Sequence, residues 1–206
     1  MPMNSHIKAI IFDFGNVLLE WNPRYVYQRF FPNDPESMEQ FLEEVNFMDW
    51  NLLQDKGRPF VEGVAALSRE YPHYSHLIQA YHDHWTDSLG DAIAGTVSIM
   101  KELKGAGYAL YGLSNWSAET FPYARRKHGF FDLLDDMVIS GEVGHVKPDR
   151  EIFQILLDKI GWSARECLFI DDSLPNIRQA DKMGFATIHF QSPEQLRTAL
   201  QELDIL

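Results

Sequence analysis

Four short stretches of this 206-residue chain hold side chains that could do chemistry together. Asp13 closes the apolar run Ile7–Phe12, and Ser114-Asn115 closes Tyr108–Leu113. Lys147-Pro148 stands just before a helical stretch opening at Asp149, and Asp171-Asp172 closes Cys167–Ile170. The apolar runs are short, continuous and rich in β-branched or aromatic residues, the pattern of strands buried on both faces. A carboxylate at the end of such a strand is no ordinary core residue, because burying its charge unpaired is costly. Carboxyl ends of strands in an open α/β sheet are also where ligands bind. If Asp13, Asp171 and Asp172 converge, their like charges raise a pKa strongly unless a cation lies between them. A hard divalent ion such as Mg²⁺, with oxygen ligands and retained waters, relieves that repulsion. Lys147 adds a fixed positive charge, and Ser114 with nearby backbone N–H groups supplies donors. Carboxylate, metal, lysine and hydroxyl together suit the positioning and charge neutralisation of phosphoryl transfer.

The elements that must carry these residues alternate along the chain. Ile93, Val97, Met100 and Leu103 mark a helix closed by Gly105 and Gly107, and a strand follows at 108–113. Further on come a helix at 117–128, a strand near Met137–Ile139, a helix at 149–160 and a strand at 167–170. A helix at 174–183, a strand at 185–190 and a helix at 193–203 complete the chain. Such alternation predicts an α/β fold with a doubly wound, mostly parallel five-stranded sheet of Rossmann-like type. About 95 residues separate Asp13 from the strand at Tyr108, far more than a crossover needs. An all-helical insertion over 19–88 accounts for them, leaving a core of 1–18 and 89–206. Its helices are expected at 23–31, after Asp34-Pro35-Glu36 (Met38, Phe41, Leu42, Val45), at 59–71 and at 74–85. Hinges are expected near Leu18–Asn22 and Ser88–Asp91.

Composition narrows the partners. A formal charge of −12 argues against nucleic acid and anionic membranes. An anionic substrate would therefore need a locally positive site. No leader pattern and no run of about 18 apolar residues is present, so a cytoplasmic chain with no membrane partner is expected. Cys167, the sole cysteine, allows no internal disulfide, suits a reducing cytosol, and reads as a buried structural thiol. It is the phosphoryl-transfer chemistry suited by the four stretches, not composition, that makes a small phosphorylated metabolite the expected partner, handled by a monomer or small homo-oligomer.

Taken together, the four stretches resemble the ordered motifs of the haloacid dehalogenase-like hydrolases, mostly Mg²⁺-dependent phosphatases, from Ile7 to about Phe190. The 19–88 insertion stands where that family places a helical cap (its subclass I). The resemblance implies that Asp13 is the nucleophile and forms an aspartyl-phosphate that water hydrolyses. It implies that Ser114, the Asn115 backbone and Lys147 hold phosphoryl oxygens. It also implies that Asp13, the Gly15 carbonyl and Asp172 bind Mg²⁺, with Asp171 a direct or water-mediated partner.

One position departs from the pattern. Most phosphatases of this kind carry an acid–base aspartate two residues after the nucleophile, where this chain has Gly15; losing such a group typically costs ~10²–10⁴-fold. Phe12-Asp13-Phe14-Gly15-Asn16-Val17 is similar to the sugar-1-phosphate (glucose-1-phosphate) phosphatase subgroup, which shares that glycine and has a better leaving group. His145 and Glu20 are candidate substitutes. Two other functions stay open: a metal-independent 2-haloacid dehalogenase, and a phosphate-binding module without turnover. The Asp171-Asp172 pair argues against the former, since without a cation it would repel the nucleophile. Near the hinges, Trp21 could cover a sugar ring and Arg24 could meet a phosphate or hydroxyl, while Trp50 is expected to pack the cap onto the core. His73, His76, His82 and His84 do not fall on one helical face and read as solvated rather than zinc-binding.

Overall fold

The computed structural model describes residues 6–206, so the Pro2–Ser5 boundary of the first apolar run lies outside the described residues. The chain opens with β1 (Ala9–Phe12), turns, and forms the short β2 (Leu19–Trp21). Helices follow: α1 (Arg24–Tyr27), α2 (Pro35–Glu44), α3 (Phe47–Asp55), α4 (Phe60–Glu70) and α5 (Ser75–Asp83). Then β3 (Leu89–Ala92) pairs antiparallel with β2, so the two hinge stretches are tied into one ribbon. The remainder alternates: α6 (Ala94–Gly105), β4 (Ala109–Ser114), α7 (Phe121–Lys127), β5 (Asp136–Ile139), α8 (Ser140–Val143), α9 (Arg150–Ile160), β6 (Cys167–Asp171), α10 (Leu174–Met183), β7 (Ala186–His189) and α11 (Pro193–Glu202).

The main sheet is five-stranded in the order β5-β4-β1-β6-β7, with every pair parallel, as the alternation predicts. All four residues of β1 are buried, and the strand lies between β4 and β6 with Phe12 level with both Gly112 and Ile170. Helices cover both faces, which is why these strands read as continuous apolar runs. One face packs Ile10, Phe12, Leu110, Leu168 and Ile170 with α6 and α11, and the other packs Ile11, Leu113 and Phe169 with Phe153 and Leu156 of α9.

Local sequence sets the helix ends. In α2, Asp34 accepts from the Ser37 N–H at 3.1 Å, Pro35 follows in the first turn, and Met38, Phe41 and Leu42 face inward. In α11, Ser192 does the same for Gln195 at 3.2 Å. Two expected helices are shorter than the apolar spacing predicts. The one expected over 23–31 ends at Tyr27, and Pro32 disfavours helical geometry at the residue before it. The one expected over 117–128 begins at Phe121, so that Pro122, which lacks an N–H, sits in the first turn. Helix α3 has no counterpart in the periodicity.

The helical segment has its own aromatic interior, where Tyr81 meets Phe47 edge-on at 4.8 Å and stacks on Tyr27. Trp50 belongs to it, its indole N–H donating to the Gly63 carbonyl at 3.0 Å. The segment also touches the main sheet's loops away from the β2–β3 ribbon. The Phe60 N–H donates to Glu119 at 3.1 Å, Lys56 pairs with Asp149 at 3.6 Å, and the Ser140 hydroxyl donates to the Asp55 carbonyl.

Phe14, next to Asp13, shows how tightly the main body is packed. Its ring meets Phe131 edge-on at 5.0 Å and stacks on Phe121 at 5.9 Å. It lies over Gly112, where a Cβ would fall 2.3 Å from the ring. Gly112→Ala should therefore lower stability by about 1–3 kcal/mol, the range for overpacking a filled core. Thermal unfolding would show this as a drop of several degrees; an unchanged midpoint would mean the ring yields without cost.

Candidate active site

Because β1 is central, Asp13 emerges between the ends of β4 and β6, where Ser114 and Asp171 also emerge. Its N–H donates to the Ile170 carbonyl at 2.9 Å, and its Oδ1 accepts from the Phe14 N–H at 2.7 Å. The chain then curls so that the Leu18 and Leu19 N–H groups both reach the Phe14 carbonyl, at 2.8 and 3.1 Å. Asn16 takes the left-handed conformation this turn needs (φ 55°), and its side-chain oxygen accepts from the Trp21 N–H at 3.1 Å.

Lys147 is the hub. Its Nζ stands 2.9 Å from Asp13 Oδ1 and 2.6 Å from Asp171 Oδ2, buried, and 5.5 Å above the Phe169 ring. Asn115 holds the lysine's main chain from both sides: Nδ2 donates to the Lys147 carbonyl at 2.9 Å, and the Lys147 N–H donates to Oδ1 at 2.7 Å. The Lys147–Pro148 peptide is cis. Asp171 is fully buried, and its Oδ1 accepts from the Ser173 N–H at 2.8 Å. Asn176 Nδ2 reaches both of its oxygens at 3.0 and 3.1 Å. Asn176 has only one visible sequence signal, its place in the first turn of the helix after the acidic pair.

Burial pushes the Asp13 carboxyl up to about 7; Lys147 pulls against this, and Asp171 and Asp172 add to it. Burial and Asp171 likewise raise Asp172. Burial works against the Lys147 ammonium, yet Asp13 and Asp171 outweigh it and hold the group above the usual lysine range. Carboxylate oxygens of Asp13, Asp171 and Asp172 all lie within 4.8 Å of one another, the one such group among the described residues. Three carboxylates against one ammonium leave an excess of negative charge on hard oxygen donors, which fits a divalent cation such as Mg²⁺. Asp13, Gly15 and Asp172 line the adjoining cavity while Asp171 does not. Asp171, its oxygens already engaged, chiefly fixes Lys147.

The cavity holds about 380 Å³. Besides Asp13, Gly15 and Asp172, its lining includes Ser114, Asn115 and Lys147. Trp21, Met48, Leu52, Trp85 and Trp116 make much of the rest apolar, and Asn51 and Asp55 of α3 add polar groups. Trp21 is thus where a substrate contact was expected. Arg24 is not: its guanidinium lies outside the lining and is paired with the Glu39 carboxylate, Nη2 to Oε2 at 2.6 Å. His145 and Glu20 do not reach the cavity either; Glu20 lies beside Gly90 in the β2–β3 ribbon. Trp50 packs inside the helical segment rather than onto the main sheet. Among the described residues the four histidines of that segment form no group of three ligands, and no helix is long and apolar enough to cross a membrane.

The parallel sheet thus carries Asp13 at the end of its central strand, with a buried lysine and an acidic pair beside it. The chain belongs to the haloacid dehalogenase-like hydrolase family, whose model matches residues 7–184. It is similar along its length to D-ribitol-5-phosphate phosphatase of Bacteroides thetaiotaomicron, at 36% identity over 97% of this chain and 98% of that one. Sesquiterpene phosphatase astK of Aspergillus oryzae is 32% identical over 91% of each. Among solved structures, a HAD-like family hydrolase from Porphyromonas gingivalis superposes with a TM-score of 0.73 at 25% identity, over 97% of this chain and 98% of that one. A HAD family enzyme of Bacteroides thetaiotaomicron, in complex with magnesium and inorganic phosphate, superposes at 0.70 and 24% identity, over 90% and 95%, and shares the fold.

Proposed function

We propose that this hydrolase is a Mg²⁺-dependent phosphomonoesterase that cleaves a small phosphorylated metabolite through a phosphoryl group carried on Asp13. The observation that carries the reading is the Asp13 carboxylate on the cavity wall, 2.9 Å from the buried Lys147 ammonium, with Asp172 beside it. Ser114, the Asn115 backbone and Lys147 take the phosphoryl oxygens, and the Asn115 side chain keeps the lysine in place. Asp13, Asp172 and the Gly15 carbonyl would hold Mg²⁺, which when bound supplies positive charge to the phosphoryl oxygens and to the crowded carboxylates. The phosphatase relatives along the whole chain, and the structural relative with magnesium and phosphate, support this reading. Residues 19–88 act as a cap, joined through the β2–β3 ribbon and closing over Asp13.

Two substrate readings follow. The Gly15 motif favours a sugar 1-phosphate. The wall of Trp21, Met48, Leu52, Trp85 and Trp116 favours an ester of an uncharged, largely apolar alcohol. A panel of sugar, polyol, aryl and isoprenyl monophosphates with Mg²⁺ would rank them. Chelation should reduce turnover on any substrate by on the order of 10³-fold or more, the scale of several kcal/mol of metal charge stabilisation. Chloride release from a 2-haloacid in chelator would establish the dehalogenase instead. Binding of phosphate with no turnover of any ester would leave only a binding module.

A further inference from the structure

Gly15 leaves the site without the expected acid, and not for lack of room: a Cβ there would meet only the Trp21 Cβ, at 4.0 Å. An alkoxide leaving group still needs a proton, and the water that follows must lose one. The lining of the cavity contains three carboxylates, Asp13, Asp55 and Asp172, and no histidine, glutamate, tyrosine or cysteine among the described residues. Asp13 and Asp172 belong to the nucleophile and the cation.

We propose that Asp55, the last residue of α3, is the acid–base group of this active site, a role that rests on the phosphomonoesterase reading above. Its position is fixed by a neighbour on its own helix and by two contacts that bridge the cap and the main body. Its carbonyl accepts from the Ser140 hydroxyl, its Oδ2 accepts from Asn51 Nδ2 at 3.0 Å, and its carboxylate accepts from the Ser117 backbone N–H. The turn after it is seated closely too, since a Cβ on Gly57 (φ 105°) would stand 3.2 Å from the Gly141 carbonyl oxygen. A cap closed in this way places a carboxyl group on the same cavity as the nucleophile. Burial pushes that group up to about 7, the Ser117 N–H opposes this, and the charge on Asp13 adds to it. A group poised there can both give and take a proton near neutrality.

Protons and electrons balance over two steps. As Asp13 attacks phosphorus, the bond from phosphorus to the ester oxygen breaks, and its electron pair stays on that oxygen. The Asp55 carboxylic acid protonates the oxygen and the alcohol departs. The Asp55 carboxylate then takes a proton from water as the water oxygen attacks the same phosphorus. The acyl-phosphate bond breaks, giving inorganic phosphate, the Asp13 carboxylate and a reprotonated Asp55.

Leaving-group dependence in the Mg²⁺-loaded protein tests this. In Asp55→Asn, kcat/KM for an alkyl monophosphate should fall ~10²–10⁴-fold, the usual worth of a general acid, and that for p-nitrophenyl phosphate by less than ~10-fold, because nitrophenolate leaves unprotonated. Slower hydrolysis of the acyl-phosphate should also give a burst of about one nitrophenolate per site before slow turnover. Asp55→Glu should recover part of the alkyl activity. Undiminished alkyl turnover in Asp55→Asn, or equal losses in kcat/KM for both ester types without a burst, would overturn the role and leave Asp55 a structural tie. Should the variant not fold, the wild type decides: kcat/KM falling steeply with leaving-group pKa across related esters would mean that no acid operates. Failure of the wild type to hydrolyse any monoester with Mg²⁺ would instead overturn the underlying reading, and this role with it.

Discussion

Asp13→Asn should abolish turnover, by on the order of 10⁶-fold in kcat, the scale seen when a covalent nucleophile is removed, while the protein becomes more stable in chelator. The amide keeps the shape of the side chain but cannot attack phosphorus and form the acyl-phosphate. The stability gain follows from the raised pKa. Burial holds the Asp13 carboxyl at about 7 in the fold against 3.8 ordinarily, so the fold favours the protonated form. That stabilisation is full below about pH 4 and is lost as pH rises through about 7. Asparagine carries no such penalty, so its melting temperature in chelator should exceed that of the wild type above about pH 7, the gap opening as pH rises from about 4 to about 7 and staying level beyond it. Adding Mg²⁺ should raise the wild-type midpoint more than that of the variant, since the cation loses a ligand with the carboxylate. Calorimetry at pH 5 and pH 8, with and without Mg²⁺, reads all of this. A variant less stable than the wild type in chelator at pH 8 would show that Asp13 is held charged by Lys147 alone. A variant retaining more than about one hundredth of wild-type kcat would remove Asp13 from the nucleophile's role.

The sheet and the residues at its strand ends were legible because both depend on local pattern. Continuous apolar runs ending in Asp13, Ser114 and Asp171 mark strands covered on both faces, and glycines 161 and 184 punctuate the helices between them at positive φ, 74° and 91°. The segment that completes the site was not legible. Helix α3 buries Phe47, Trp50 and Gln54 in the interior of the helical segment while Met48, Asn51, Leu52 and Asp55 line the cavity. A helix that must present apolar residues to a binding cavity as well as to a core loses the one-sided periodicity by which surface helices are recognised. Asp55 is hidden for the same reason: one carboxylate in a Gln-Asp-Lys-Gly stretch is unremarkable until the fold lays it on the cavity that Asp13 also lines. Arg24 misled in the opposite direction. It is close in sequence to the hinge, but α1 points its guanidinium toward Glu39 on α2, and only the packing of those two helices decides that.

Lys147→Met should be the most destabilising substitution in the site, because the lysine answers for charge that nothing else nearby can neutralise. Asp171 is fully buried, and its other partners, the Ser173 N–H and the Asn176 amide, are neutral donors. Methionine preserves most of the volume and the contact with Phe169 but removes the ammonium that lies 2.6 Å from Asp171 and 2.9 Å from Asp13. Breaking a buried pair from one side costs about 3–5 kcal/mol, since the remaining carboxylate stays desolvated and unpaired. For a chain of this size that corresponds to a fall of roughly 6–20 °C in melting temperature. Activity should fall as well, by about 10²–10³-fold, through loss of a fixed positive charge at the phosphoryl oxygens. The double variant Lys147→Met with Asp171→Asn separates the two effects. Removing both charges should return most of the stability and none of the activity, whereas a double variant no more stable than the single one would mean that Lys147 supports the fold by packing and not by charge.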